Sequence, residues 1–507
     1  MGENTAAPGP DFSAGISLSE LSDIGTIAGR VGDEAVLLSQ FGGQWFAISG
    51  TCTHYGAALA EGLIQGEQVR CPWHHACFDL KTGAVLRAPA LDPLDRWKVE
   101  VDGDRLVVRE KLEEQEPQPR PADDVRKIVI VGGGAAGLAC AKELRALGYQ
   151  GGIVMLSADK DPPCDRPNLS KDYLAGNAPE EWIPLRGEDW YRDNSVELRL
   201  DCEVRSIDRA ARAVVLASNE RVSFDRLLLA TGSEPRRLGE EGFGGDNVLT
   251  LRTLTDARAI IGRAKAGAKV AIIGSSFIGL EAAAALTARG LDVEIISPEH
   301  VPFERVFGHE IGAFLMGVHE AKGVRFHLGT VAARCDESGV SLASGEAIAA
   351  DFILVGVGVL PRTQIATAAG LTVDDGVWVN EYLETSSPGI FAAGDIAAYP
   401  EPITGERTRI EHWTVAERQG TTAAANMLGL KKRYSSAPFF WTEQHGVTVR
   451  YVGHARDFDE TRVEGKIGTG DAGFVVRYYR EGKHLASATV NRDRDCLEDE
   501  LKLETAS

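Results

Sequence analysis

The chain has 507 residues, more than one hydrophobic core serves, so roughly three or four domains are expected. Its apolar (44%) and charged (25%) fractions are ordinary for a globular protein, and no apolar run is long enough to cross a bilayer as a helix. A formal net charge of −20 argues against a polyanionic partner, so no nucleic acid is expected. The eight cysteines are too few and too scattered for a disulfide framework. The first residues, MGENTAAPGPDFSAG, lack the basic and apolar regions of a signal peptide. Met1-Gly2 resembles a myristoylation start, but Ala6 stands where Ser or Thr is needed, so a cytoplasmic protein is the default expectation.

Residues 12–109 read as short strands with turns: EAVLLSQ, QWFAIS and RWKVEVDGDRLVVRE, with Asp102-Gly103-Asp104 as a hairpin signal. A small all-β domain follows from that pattern. Within it lie Cys52-Thr53-His54 and Cys71-Pro72-Trp73-His74, which put two thiolates and two imidazoles on paired loops. Tetrahedral zinc and a [2Fe-2S] cluster with two His on one iron both suit such a donor set. The wording of the loops, CTHYGAAL and CPWHHACFD, resembles the two cluster-binding loops of Rieske proteins. The resemblance implies that Cys52 and Cys71 hold one iron and His54 and His74 the other. Two positions depart from it. His75 stands where the family usually has Gly, and Cys77 is an extra thiol, read as a packed small residue. High-potential members share an additional Cys pair and two hydroxyl donors around these loops. Here Ala57 and Trp73 take the places of the cysteines, and Ala76 and Phe78 those of the donors.

Residues 110–125, charged and rich in Pro and Gln, read as a linker. Lys127–Val131 is a buried-strand pattern followed at once by Gly132-x-Gly134-x-x-Gly137, with Ala136 inside the fingerprint, and by a helical pattern to Leu147. Strand, glycine turn and helix start make a pyrophosphate site: the backbone approaches the phosphates and the helix N-terminus offers N–H groups. A second strand, Gly152–Ser157, places Asp159 as the candidate ribose ligand, with Asp161 second. The next segment, DRPNLSKDYLAG, resembles the ferredoxin-reductase branch of the FAD/NAD-linked reductases, which includes the apoptosis-inducing-factor-like proteins. That resemblance implies that Arg166, Pro167 and Lys171 lie along the flavin.

DRLLLATG is a buried strand ending in Ala230-Thr231-Gly232, which matches the family's turn past the FAD. KVAIIGSSFIGLEAAAAL repeats the strand–turn–helix pattern as Gly274-x-Ser276-x-x-Gly279, with Ser in the middle Gly position. Glu281, one turn into that helix, matches the family Glu that pairs with Lys171 beside the reactive flavin nitrogen. Lys171 and Glu281 are therefore the catalytic candidates. The strand Asp292–Ser297 ends in Ser-Pro-Glu-His, so Glu299 is placed for the 2′-hydroxyl of NADH. No Arg follows nearer than Arg305, and NADH is favoured over NADPH. Gly358–Arg362 resembles the return crossing. In GIFAAGDIA, Gly394 and Asp395 match the residues at the FAD ribityl chain. His412, Trp413, Ala416, Gln419 and Gly420 match a helix against the flavin ring, and Trp441 in FWTEQ approaches the flavin face.

The resulting expectation is a multidomain chain. A Rieske domain (12–109) and linker (110–125) precede glutathione-reductase-like α/β domains: FAD-binding (126–243 and 371–432) with an NAD-binding insertion (244–370). An α+β reductase domain (433–507) ends the chain. The resemblance implies an NADH-dependent flavoprotein that takes hydride onto FAD and passes single electrons to its own cluster, then to a redox protein such as a Rieske-type oxygenase. It leaves open whether the protein is a homodimer. A disulfide reductase is excluded because no Cys-x-x-Cys or Cys-x4-Cys follows the first fingerprint. An apoptosis-inducing-factor-like NADH sensor with little turnover remains the alternative.

Overall fold

The structure is a computed structural model and describes residues 9–21, 25–113, 124–468 and 470–505. Met1, Gly2 and Ala6, and residues 114–123 of the expected linker, lie outside the described residues. The chain divides into two compact units. One comprises Met1–Pro119 with Arg492–Ala506, the other Arg120–Asn491.

The first unit holds two antiparallel sheets. The six-stranded sheet runs in the order Ile16–Ser17, Arg105–Leu112, Arg96–Asp102, Gln44–Ser49, Glu34–Phe41, Thr26–Val31. The expected hairpin closes it: Arg105 pairs with Asp102 across Gly103, whose φ of 63° is the left-handed value glycine accepts at little cost. The strand continues through Lys111 and Leu112, paired with Trp97 and Arg96, so the expected linker begins later than residue 110. The smaller sheet is Leu63–Gln65, Gln68–Arg70, Cys77–Asp79, Val85–Arg87. Arg70 pairs with Cys77, which makes residues 71–76 the tip of a hairpin. Leu37, Ile48, Leu59, Val69, Phe78 and Leu80 form the core beneath it.

In the second unit, five parallel strands stand in the order Val196–Arg199, Gly152–Leu156, Lys127–Val131, Arg226–Leu229, Ile390–Ala392. Arg226–Leu229 pairs directly with Ile390–Ala392, although a whole second nucleotide sheet lies between them in sequence. That sheet is Val248–Leu249, Phe352–Val355, Lys269–Ile273, Asp292–Ser297, Arg325–Leu328, also parallel. The NAD-binding part is thus an insertion. Its exit and re-entry pair as Ser233–Pro235 against Val359–Pro361, the expected return crossing.

Both glycine fingerprints have the same physical cause. Gly132 and Gly274 take φ of 120° and 112°. A Cβ on Gly137 would meet Gly132 O at 2.1 Å, and one on Gly279 would meet Gly274 O at 2.1 Å. Gly420 serves another contact. A Cβ there would lie 2.2 Å from Ala136 O, where the helix Trp413–Met427 crosses the fingerprint helix Ala135–Ala146.

The C-terminal domain is a five-stranded antiparallel sheet in the order Phe439–Gln444, Val447–Gly453, Lys483–Val490, Phe474–Arg480, Glu460–Gly465. The expected α+β domain over 433–507 is divided at Arg492, because the last helix, Asp493–Thr505, belongs to the first unit. The reason is its buried face. Cys496, Leu497 and Leu503 share that face with Glu500, and Arg70 and Arg87 of the first unit supply the cations this carboxylate needs.

Candidate functional site

The donors in the first unit lie on two turns built alike. Cys52 N–H donates to Ala57 O and Gly56 N–H to Cys52 O; Cys71 N–H donates to Ala76 O and His75 N–H to Cys71 O. Each turn needs a left-handed residue four positions after its cysteine. Gly56 supplies it with φ 82° in the first, His75 with φ 61° in the second. His54 Nδ1 and His74 Nδ1 face one another at 3.1 Å, and the Cys52 and Cys71 thiols are neighbours. The neighbouring Cys71 thiol and burial hold the Cys52 thiol far above its usual range. Burial pushes the His54 imidazole down to about 4, leaving it neutral, the form that ligates a metal. Among the described residues no three such donors converge on one point as they would around a single ion. Sulfur paired with sulfur and nitrogen with nitrogen suits a two-iron cluster better than zinc. Tyr55 stacks on His54 at 4.0 Å, and Trp73 stands edge-on to His74. Ala57, Ala76, Cys77 and Phe78 are buried behind the turns.

The second unit holds a long groove made of two cavities of about 470 and 520 Å³ that share Gly134, Arg166 and Ala230 in their walls. A groove of that length suits an extended dinucleotide rather than a compact metabolite. Asp159 and Thr231 line one end, and Asp159 Oδ2 accepts from Arg166 at 3.2 Å. Asp161, by contrast, pairs with Arg258 at 2.8 Å outside the groove. Ala136, Gly232, Gly394, Asp395, His412, Trp413 and Trp441 line the other end, together with Ser276 of the second fingerprint. Asp395 Oδ2 accepts from Arg252 at 2.6 Å, and Gly394 N–H donates to Gln419 Oε1 at 2.8 Å. The Gln-Gly dipeptide thus does two tasks: Gln419 fixes the Gly394 turn and Gly420 lets the helices touch. Burial pushes the His412 imidazole down to about 3.

Lys171 and Glu281, 110 positions apart, meet in this groove with Nζ–Oε2 at 2.7 Å. Ser170 Oγ donates to the same Oε2 at 2.5 Å, and Thr442 Oγ1 donates to Oε1 at 2.7 Å. Behind Thr442, Gln444 Nε2 donates to its hydroxyl at 3.1 Å, and His319 Nε2 donates to Gln444 Oε1 at 2.9 Å. Every donor in this string points toward Glu281. Sequence reasoning found the pair through family resemblance and missed the string. The available signal was strand alternation: Thr442 and Gln444 are polar residues on one face of Phe439–Gln444, and both are buried. Arg252 was missed as well, having no motif around it.

At the second nucleotide strand, Glu299 accepts from Ser275 Oγ at 3.4 Å, and Arg305 Nε lies 3.6 Å from its other oxygen. Burial pushes the Glu299 carboxyl up. No disulfide joins any of the eight cysteines.

Three family models match the chain: Rieske [2Fe-2S] domain over residues 17–98, pyridine nucleotide-disulphide oxidoreductase over 126–420, and reductase C-terminal over 439–500. Apoptosis-inducing factor 3 of Homo sapiens is 33% identical over 478 residues, covering 90% of this chain and 78% of that protein. The ferredoxin–NAD(+) reductase component of the anthranilate 1,2-dioxygenase system of Burkholderia cepacia is 36% identical, over 72% of this chain and 91% of its own. Among solved structures, the covalent putidaredoxin reductase–putidaredoxin complex aligns with a TM-score of 0.73 at 33% identity, over 75% of this chain and 93% of that chain.

Proposed function

Since the chain belongs to the pyridine nucleotide-disulphide oxidoreductase family, as a ferredoxin–NAD+ reductase-type flavoprotein with a Rieske [2Fe-2S] domain, we propose that it moves electrons from NADH to its own cluster and on to an acceptor redox protein such as an oxygenase. One observation carries the reading: a single polypeptide holds both the paired thiols and imidazoles and a nucleotide groove that carries the Lys171–Glu281 pair. Bound FAD supplies acceptance of two electrons as hydride and their release one at a time, and the cluster supplies a one-electron site.

The residues divide the work as follows. The turns at Gly132–Gly137 and Gly274–Gly279 offer backbone N–H groups and helix N-termini to the two pyrophosphates. Asp159 and Glu299 receive the ribose hydroxyls, and Arg252 holds Asp395 toward the ribityl part of the groove. Lys171 would present its positive charge to a flavin bound in the groove, where it would favour the reduced form, and Glu281 keeps it oriented. His412, Trp413 and Trp441 keep water from that end of the groove. Cys52, Cys71, His54 and His74 hold the cluster. Fusion in one chain sets an effective cluster concentration on the order of millimolar at the flavin.

Anaerobic stopped-flow mixing with NADH tests the reading. Flavin bleaching followed by cluster reduction, both faster than turnover with an oxygenase acceptor, is the expected result. Similarity to apoptosis-inducing factor 3 over most of the chain favours one second reading, a slow NADH sensor. A reduced state that persists and a cluster that receives no electrons would replace the first reading with the second.

A further inference from the structure

The last helix of the chain contributes to the cluster loop. Asp493–Thr505 follows the reductase strand Lys483–Val490 almost directly, yet it packs within the first unit. It begins with acids that suit its dipole, Asp493 and Asp495. One turn apart on it, Glu500 and Glu504 face Arg70 and Arg87. Glu500 is fully buried. Its Oε2 accepts from Arg70 Nη1 at 2.9 Å and lies 3.1 Å from His75 Nδ1, while Arg87 approaches Oε1 at 3.2 Å. Glu504 pairs with the same two arginines, at 3.0 Å from Arg70 and 2.7 Å from Arg87.

The placement is specific. Arg70 directly precedes Cys71, and His75 directly follows His74. A single carboxylate oxygen therefore reaches Arg70, just before the hairpin tip, and His75 within it, on either side of the donors Cys71 and His74. His75 is also the residue that replaces glycine in the second turn. A side chain in the left-handed region is strained and persists only where its surroundings hold it. In the first turn Gly56 needs no such holder.

The geometry points to Glu500 as the positioning residue of the second cluster loop: a carboxylate on the chain's last helix staples Arg70 to His75 and so fixes Cys71 and His74 for the cluster. This rests on the assignment of the cluster to these loops. The Rieske unit is then completed by the chain's final segment, and its cluster depends on residues beyond the 17–98 match.

The test uses the full chain with FAD and cluster loaded, comparing Glu500→Gln with Glu504→Gln. Both remove one charge from the same arginine pair, so simple helix anchoring makes them alike. The staple makes them differ. In Glu500→Gln, iron release to a chelator should quicken about tenfold, the effect of removing the charge that a buried carboxylate presents to Arg70 and His75. Its EPR g-values and visible circular dichroism should shift, and FAD content and NADH-driven dye reduction should stay as in the parent. Glu504→Gln should keep the parent spectrum. Glu500→Asp, with the charge kept and the reach shortened, should fall between. In a His75→Gly background the turn no longer needs a holder, so Glu500→Gln should lose most of its effect there. Equal behaviour of the Glu500→Gln and Glu504→Gln proteins, or an unchanged effect in the His75→Gly background, overturns the proposal. Should Glu500→Gln fail to fold, the Asp variant and the His75→Gly pair decide by the same readouts. A parent protein that carries zinc and no EPR signal on reduction would instead overturn the cluster assignment itself.

Discussion

Replacing Lys171 by Ala should slow the chemical step and spare nucleotide binding. Lys171 Nζ lies 2.7 Å from a carboxylate that is itself buried and receives two further hydroxyl donors. At an effective dielectric constant of ~20, two unit charges at that separation attract by about 6 kcal/mol before desolvation is counted. The ammonium is therefore fixed before substrate arrives, and a fixed charge costs no reorganisation during the reaction. Removing one such donor from a reacting centre costs about 2.7–4 kcal/mol, or 10²–10³ in rate. The limiting rate of flavin bleaching by NADH should fall about 10²-fold in Lys171→Ala, whereas the apparent Kd, set by the Gly274–Gly279 turn, should change less than about threefold. Thr442→Val keeps the volume and deletes one donor to Glu281, a bond worth about 1.5–3 kcal/mol to a charged acceptor. Only part of that loss reaches Lys171, so a three- to tenfold slowing is expected, roughly. Anaerobic stopped-flow at several NADH concentrations separates rate from Kd. A Lys171→Ala protein with the parent limiting rate and only a raised Kd would refute the argument and leave the pair a structural contact.

Cys52→Ser and Cys71→Ser should each abolish the cluster and leave FAD bound with dye reduction intact; iron assay and flavin absorbance check this, and loss of FAD would contradict separate folding of the two units. Glu299 sets a carboxylate 3.6 Å from Nε of Arg305, whose side chain is 83% exposed, so kcat/KM should favour NADH, and Glu299→Ala should narrow the preference about tenfold by removing the charge that repels a 2′-phosphate. Unchanged preference in that variant would move the ribose elsewhere. The cluster midpoint should lie near −150 mV, the low end of the Rieske range, with Ala76→Ser or Phe78→Tyr raising it; redox titration followed by EPR reads both.

Much of this molecule was legible in its sequence because glycine and short motifs leave strong signals. The two fingerprints announce themselves: a Cβ at Gly137 or Gly279 would strike a backbone oxygen, so no other residue fits. Insertion of one nucleotide sheet into the other was also legible, since two strand–turn–helix units must each complete a parallel sheet. What escaped was long-range and polar. Nothing local tells that Thr442 and Gln444 aim at Glu281, because a buried Thr in a strand has the same local signature whether or not a carboxylate faces it. The last helix escaped for the opposite reason. Its acids carry no local sign of burial, and only the fold reveals that Arg70 and Arg87, some 400 positions earlier, make burial of Glu500 affordable.

That same patch bears on the direction of electron flow. Reducing the cluster adds negative charge, so nearby cations and hydrogen-bond donors raise its potential while anions lower it. Arg70 and Arg87 would raise it alone, but Glu500 and Glu504 pair with both, and the four formal charges cancel. With that field neutralised, the donors next to sulfur decide, and the buried positions behind the turns, Ala57, Ala76 and Phe78, offer no hydroxyl. A low potential follows from both facts together. It also assigns a sign to the staple variant: Glu500→Gln leaves the patch one positive charge in excess, so its midpoint should move upward. A downward shift would mean that the loop's geometry, and not the charge, dominates the potential.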